Sequence, residues 1–265
     1  MQKLKTVNQS KPKEAVYQNL LPTAKNIIAI ASGKGGVGKS TIAANVAISL
    51  AKKGFKVGLL DTDIYGPSVP KIFGTGFGQI TLEGKKINPL EKFGVKTLSI
   101  GNLIEEGKAA IWRGALVHSA LTQMISDVHW GELDYFILDL PPGTGDVQLT
   151  IVQSLHVKNV IAVSTPQEMS LIDVRKAIDM FDKVNVKVNG IIENMSYFIC
   201  DSCDKKHFIF GENGVKKYCD ENNIKLLGQL PINTSIMQSG EDGNPYAVKD
   251  EGGIFKQITD NIIAL

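Results

Sequence analysis

The stretch that most constrains this chain is Gly33-Lys34-Gly35-Gly36-Val37-Gly38-Lys39-Ser40-Thr41. It follows an apolar run, Ile27-Ile28-Ala29-Ile30-Ala31, and leads into a segment of helical periodicity. Strand, glycine-rich loop and helix in that order make a phosphate-binding loop of the form G-x-x-x-x-G-K-[ST]. The glycines let successive backbone N–H groups turn inward onto phosphate oxygens, and the helix aims its positive end at the same point. Lys39 then reaches the outer phosphates, and the Ser40 hydroxyl takes a place on Mg²⁺. The helix is expected over about residues 39–53, with Ile42, Ala43, Val46, Ala47 and Leu50 on one apolar face.

Lys34, directly after the first glycine, adds information, because an ordinary phosphate loop has no fixed preference there. A second lysine at this place resembles the deviant loop of the MinD, ParA and nitrogenase iron-protein ATPases. In those proteins that lysine reaches the nucleotide of a partner subunit, so the resemblance implies a nucleotide-dependent homodimer.

The rest of the chain alternates strand-like and helix-like runs without long gaps, which predicts a doubly wound, mostly parallel sheet with helices on both faces. Phe55 to Leu60 reads as the second strand and ends in Asp61-Thr62-Asp63. Carboxylates at the carboxyl end of a parallel strand sit where ligands bind in such sheets. Of Asp61 and Asp63, one is expected to hold the Mg²⁺ shell and the other to orient an attacking water. Residues 74–95 read as a peripheral hairpin. Leu133 to Asp139 is an apolar strand ending in a carboxylate, which places Asp139 in the outer shell of Mg²⁺. Behind it runs Pro141-Pro142-Gly143-Thr144-Gly145-Asp146. Pro142, Gly143, Gly145 and Asp146 have the composition of a switch loop, stiff at one end and free to approach a γ-phosphate at the other. Asn194 closes a later strand, and its amide can donate and accept at once, which suits the edge of adenine or a plain turn. Arg113 reads equally as a phosphate or interface arginine and as a surface ion-pair residue.

A single domain over residues 26–265 is expected, behind a polar tail of residues 1–25. That tail has no apolar run of the secretory kind, and the first arginine is Arg113, so the cytoplasm is the expected compartment. Net charge is +2, from 29 basic and 27 acidic residues, which gives no electrostatic reason to expect nucleic acid or membrane as a partner.

Cys200-Asp201-Ser202-Cys203 offers two thiolates to one soft metal centre, too few for a closed site. His207 and Cys219 lack a convincing spacing, and Cys219, in a helix-like stretch with Val215 and Tyr218, reads as a structural thiol. A two-fold dimer would bring four cysteines to one centre on its axis. A redox pair and a zinc site remain alternative readings of the same motif.

The Asp61 to Ser68 run, Pro-Pro-Gly-Thr-Gly-Asp, and Glu193-Asn194-Met195-Ser196 followed by Cys200 and Cys203 together resemble the Mrp/ApbC family, from about Ile27 to the end of the chain. The resemblance implies a cytosolic ATPase that takes a [4Fe-4S] cluster from a cluster-assembly scaffold and carries it to apo iron–sulfur proteins. It implies ATP bound by Lys34 to Thr41, a cluster bridging two subunits through Cys200 and Cys203, water oriented by Asp63, and adenine contacts from Asn194 and the Pro231 region. Two rival readings are a MinD/ParA-like positioning ATPase and a zinc-bridged regulatory dimer. Many relatives have Pro after the first cysteine and Gly after the second, where this chain has Asp201 and Asp204. The acidic neighbours are expected to loosen the metal's hold.

Overall fold

The computed structural model describes residues 20–64, 66–76, 80–84, 86–103, 114–250 and 253–265. The expectations for Arg113 and for residues 1–19 of the tail lie outside the described residues. Leu21 is buried in the core, and the first strand begins at Ala24.

In chain order the first half runs β1 (Ala24–Ser32), α1 (Lys39–Lys52), β2 (Val57–Asp61), α2 (Val69–Phe73), β3 (Thr81–Glu83), β4 (Lys86–Asn88), β5 (Leu90–Lys92), β6 (Val95–Ser99), α3 (Ile100–Leu103) and α4 (Gly114–Ser126). The second half runs β7 (Leu133–Asp139), α5 (Asp146–Ser154), β8 (Asn159–Ser164), α6 (Glu168–Asp182), β9 (Lys187–Glu193), β10 (Phe198–Ile199), β11 (Lys206–His207), α7 (Gly214–Asn222), β12 (Lys225–Gln229), α8 (Thr234–Glu241) and α9 (Ile254–Ile263).

Eight strands form one sheet in the order β12-β9-β8-β1-β7-β2-β6-β5. The strands from β12 to β6 pair in parallel, and only the edge strand β5 runs antiparallel. The predicted hairpin is β3 with β4, while β5 was not read from the sequence because three residues carry too little alternation to show.

Both faces of the sheet are covered, and the strands divide their side chains between them with period two. From β1, Ala29 and Ala31 enter one core while Ile28 and Ile30 enter the other; from β7, Phe136 and Leu138 oppose Tyr135 and Ile137 in the same way. Helix α1 is more deeply buried than an amphipathic surface helix, since Ala44, Asn45 and Ile48 are buried along with the predicted face. Asn45 is satisfied at both ends, donating to the Thr41 carbonyl (2.7 Å) and accepting from the Ala247 N–H (2.6 Å). In α6, Leu171, Val174, Ala177, Ile178 and Phe181 carry the inward face, and Ile172 is half-buried. Among the described residues no helix is long and apolar enough to cross a membrane.

Among the described residues Trp130 is the largest fully buried side chain, edge-on to Phe136 at 4.8 Å between ring centres and donating its indole N–H to the Met124 carbonyl. Trp130→Ala is expected to cost about 3–5 kcal/mol. Leu82→Ala, at a side chain 68% exposed, is expected to change stability by less than about 0.5 kcal/mol. Urea denaturation midpoints of the two variants check this contrast.

Candidate nucleotide and metal sites

The carboxyl ends of the central strands converge because their register demands it. Asp61 of β2 lies directly beside Asp139 of β7, Asp139 beside Ile30 of β1, and Asp61 beside Ser99 of β6. Between β1 and α1 the phosphate loop arches over these ends. Gly36 and Gly38 hold left-handed conformations (φ +81° and +85°), which turns the backbone inward ahead of the helix. Gly33 is required for a different reason: a Cβ there would lie 2.3 Å from the backbone of Asp173 in α6. A cavity of about 260 Å³ opens over the loop, lined among others by Gly35, Gly36, Lys39, Ser40, Thr41, Asp63 and Pro142.

Lys39 is buried and forms an ion pair with Asp139, with the Ser40 hydroxyl 3.3 Å from its ammonium. Asp139 is fully buried, and its second oxygen, Oδ2, has no hydrogen-bond partner. That orphaned acceptor, with the Ser40 hydroxyl nearby, fits an Mg²⁺ ion with its bound waters. Lys34 is half-buried, and its ammonium has no hydrogen bond or ion pair among the described residues.

Asp61 is tied down by four donors. Its Oδ1 accepts from the Asp63 N–H (3.0 Å); its Oδ2 accepts from the Ser68 and Val69 N–H groups (3.0 and 3.2 Å) and from the Ser99 hydroxyl (3.1 Å). Burial, and then the nearby Asp139 charge, push its pKa up from 3.8 to about 7, against the opposing pull of Lys39 and the backbone donors. Its carboxylate therefore ties together the backbone of Asp63, Ser68 and Val69, and Asp63 accepts from the Gly66 N–H (3.2 Å) and lines the phosphate cavity.

The Pro141 to Gly145 loop enters over the same cavity, with Gly143 at φ +101° and its N–H donating to the Ser32 carbonyl (3.0 Å). Gln148, one turn into α5, reaches back to donate to the Pro141 and Gly143 carbonyls, and its own carbonyl oxygen is buried without a partner. Sequence reasoning missed Gln148, because a glutamine near a helix start has no signature until the loop folds over it. A second, mostly apolar cavity of about 460 Å³ separates this loop from the 61–68 loop, and Asp63, Gly66 and Pro142 line both cavities. The backbone of Asp146 opens α5.

Asn194 stands at the end of β9 and donates its side-chain amide to the Val37 carbonyl (2.9 Å). Pro231 lies in the segment after β12, which is joined to the Asn194 segment by the Leu230 N–H to the Glu193 carbonyl (2.8 Å) and the Ser196 N–H to the Leu230 carbonyl (2.8 Å).

Cys200 and Cys203 lie at the turn of the β10–β11 hairpin. The backbone is folded tightly on itself: the Cys203 and Asp204 N–H groups donate to the Cys200 carbonyl (3.4 and 2.9 Å). Asp204 takes the left-handed conformation at φ +56°. Aspartate is among the few residues that tolerate it, so the tight turn survives the absence of glycine. The Ser202 N–H first, and then the Cys203 thiol and N–H, hold the Cys200 thiol below its ordinary pKa, while Asp201 opposes them. Cys219 is buried in α7 and pushed up to about 12 by burial, which suits an inert core thiol. Among the described residues no three His, Cys, Asp or Glu side chains are placed to hold a metal ion. Ile199, Phe208, Ile209 and Phe210, all on or beside the hairpin, are exposed.

The family described as ParA: NUBPL iron-transfer P-loop NTPase matches residues 23–264. An iron-sulfur cluster carrier protein of Aquifex aeolicus is 46% identical over 230 residues, 86% of this chain; the chain spans 63% of that relative's length. The solved structure of a nucleotide-binding protein from Archaeoglobus fulgidus, in complex with ADP and with cobalt found in it, superimposes with a TM-score of 0.76 at 36% identity, covering 88% of this chain and 91% of that one. The cell-division ATPase MinD of Pyrococcus furiosus shares the fold at a TM-score of 0.65 and 21% identity, over 90% of this chain and 98% of its own.

Asp61 binds its proton more tightly in the folded chain than in the unfolded one, so its contribution to stability is full below about pH 4 and lost as pH rises through about 7. Asp61→Asn removes that loss. Urea denaturation of the nucleotide-free protein across this range is expected to show the stability difference moving in favour of Asp61→Asn as pH rises; a pH-independent difference contradicts the assignment.

Proposed function

Because this chain belongs to the NUBPL iron-transfer P-loop NTPase family, we propose that it is an ATP-hydrolysing carrier that holds a [4Fe-4S] cluster between two copies of itself and hands it to apo iron–sulfur proteins. The observation that carries the reading is the cysteine hairpin. It presents two thiols and no third ligand among the described residues, and exposed apolar side chains surround it. Such a site needs a second copy to reach four ligands, and the apolar rim is surface that the second copy would cover. The names of the Aquifex and Archaeoglobus proteins support a cluster as cargo and a nucleotide as ligand.

ATP lies along the phosphate loop, Gly33 to Thr41, with its base toward Asn194 and Pro231. On binding, the Lys39 ammonium exchanges the Asp139 carboxylate for phosphate oxygens. Ser40, Asp139 and Asp61 are the residues that would hold Mg²⁺, which would neutralise charge on the phosphate oxygens. Asp63 orients the attacking water, while Lys34, whose ammonium has no partner among the described residues, extends to the nucleotide of the second copy. Catalysis by these groups is positioning and charge neutralisation. Loss of the γ-phosphate frees the Pro142, Gly143, Gly145 and Asp146 segment, which changes how the two copies meet and hence the grip of the four cysteines. Cytoplasmic location and a scaffold donor follow from the same reading.

Lys39→Ala is expected to abolish nucleotide binding by calorimetry and to keep the cysteine site. The double variant Cys200→Ala/Cys203→Ala is expected to bind ATP as the parent does and to take up no iron or sulfide on anaerobic reconstitution. Equal cluster retention in the double variant would remove the ligand assignment.

A further inference from the structure

We propose that the segment from Glu193 to Tyr197 is a relay through which occupancy of the phosphate loop sets the hold of Cys200 and Cys203 on metal; the proposal rests on the functional reading above. Its first end is locked to the loop. The Asn194 amide donates to Val37, and its nitrogen lies so close to Gly38 that a Cβ there would be 2.2 Å away. Gly38 is the left-handed residue at which the loop becomes α1, so Asn194 touches the backbone that must settle around a phosphate. Its own N–H is fixed to the Ser164 carbonyl of β8 (2.8 Å).

The other end is locked to the cysteine hairpin. The buried Glu193 carboxylate accepts from the Ser196 hydroxyl (2.9 Å) and the Gln229 amide (3.1 Å), and the same amide reaches Ser196 (3.1 Å). The Ile232 N–H holds the Tyr197 carbonyl (2.7 Å). The Tyr197 ring packs edge-on to Phe208 and lies 4.3 Å beneath the Lys206 ammonium. Tyr197 leads directly into β10 and Cys200.

Between the two anchors Met195 sits at φ +55°. A methionine keeps that left-handed backbone only where its neighbours impose it. When nucleotide draws Asn194 from Val37 or shifts Gly38, one constraint is lost and an extended Met195 becomes accessible. The resulting movement of 195–197 passes into β10 and alters the spacing of the two thiols. Coupling of this kind is reciprocal: metal at the cysteines changes nucleotide affinity by the same factor.

The test uses the full chain and Co²⁺ as probe metal, read by its thiolate charge-transfer absorption, titrated with and without Mg²⁺ and a non-hydrolysable ATP analogue. The wild-type Co²⁺ midpoint is expected to shift at least about five-fold with nucleotide, and nucleotide affinity to shift equally with Co²⁺. The second shift should vanish in Cys200→Ala/Cys203→Ala. In Met195→Gly, which accepts either backbone state, and in Ser196→Ala, which loosens the second anchor, both shifts are expected to fall below about two-fold while each ligand alone binds nearly as in the parent. A thiolate band without a nucleotide shift in the wild type overturns the relay alone, as does a shift that survives in both variants. No thiolate band in the wild type overturns the metal-site reading and the relay with it.

Discussion

The buried pair of Lys39 and Asp139 is the contact on which the nucleotide site depends. Two charges taken from water cost several kcal/mol each unless geometry repays them. Here the repayment is incomplete, since one Asp139 oxygen is orphaned and Asp61 lies in the next strand with its proton affinity raised. A buried acceptor without a partner costs about 1–3 kcal/mol, which a metal-bound water would recover. The site is thus built around charges that the chain's own groups satisfy poorly and that ATP with Mg²⁺ would satisfy well. Strand register is what forces the arrangement: β1, β7 and β2 are adjacent and parallel, so their terminal residues have nowhere else to point.

Around that centre the two loops are shaped by backbone rather than by bulk. Asp61 collects N–H groups of the 61–69 loop, and Gln148 collects carbonyls of the 141–143 loop, so each loop is tied to a rigid element through one polar side chain. The apolar cavity lies between them, with Asp63 and Pro142 on its border with the phosphate cavity. At the far side of the sheet end, the cysteine turn is held by its own backbone hydrogen bonds and by Asp204 in a left-handed conformation.

What the sequence made legible was what rests on local pattern. The phosphate loop, the β7 strand ending in Asp139 and the inward face of α1 follow from glycine chemistry and hydrophobic period, and each falls where the pattern puts it. Short elements such as α2 and α8 were not readable, because five to eight residues hold too little periodicity and their stability comes from packing, α2 on α1 and α8 on α2. Contacts between distant segments were invisible for a related reason. Gly33 reads as a loop glycine, and nothing in its neighbourhood shows that the Asp173 backbone excludes a side chain there. Asn194 was legible as a polar residue on the nucleotide side, but not its bond to Val37 across the sheet. At the cysteine turn the sequence showed the acidic charge of Asp201 and Asp204 but not the backbone, in which Asp204 takes the left-handed conformation.

The central claim is that one cluster is shared by two chains through four cysteines. Native mass spectrometry of the anaerobically reconstituted full chain tests it most directly. The account predicts a dimer whose added mass is that of one four-iron, four-sulfide cluster, about two of each per chain, with dissociation to monomers when the cluster is chelated away. A monomer that retains a cluster, or a dimer whose only metal is a single zinc, would contradict it.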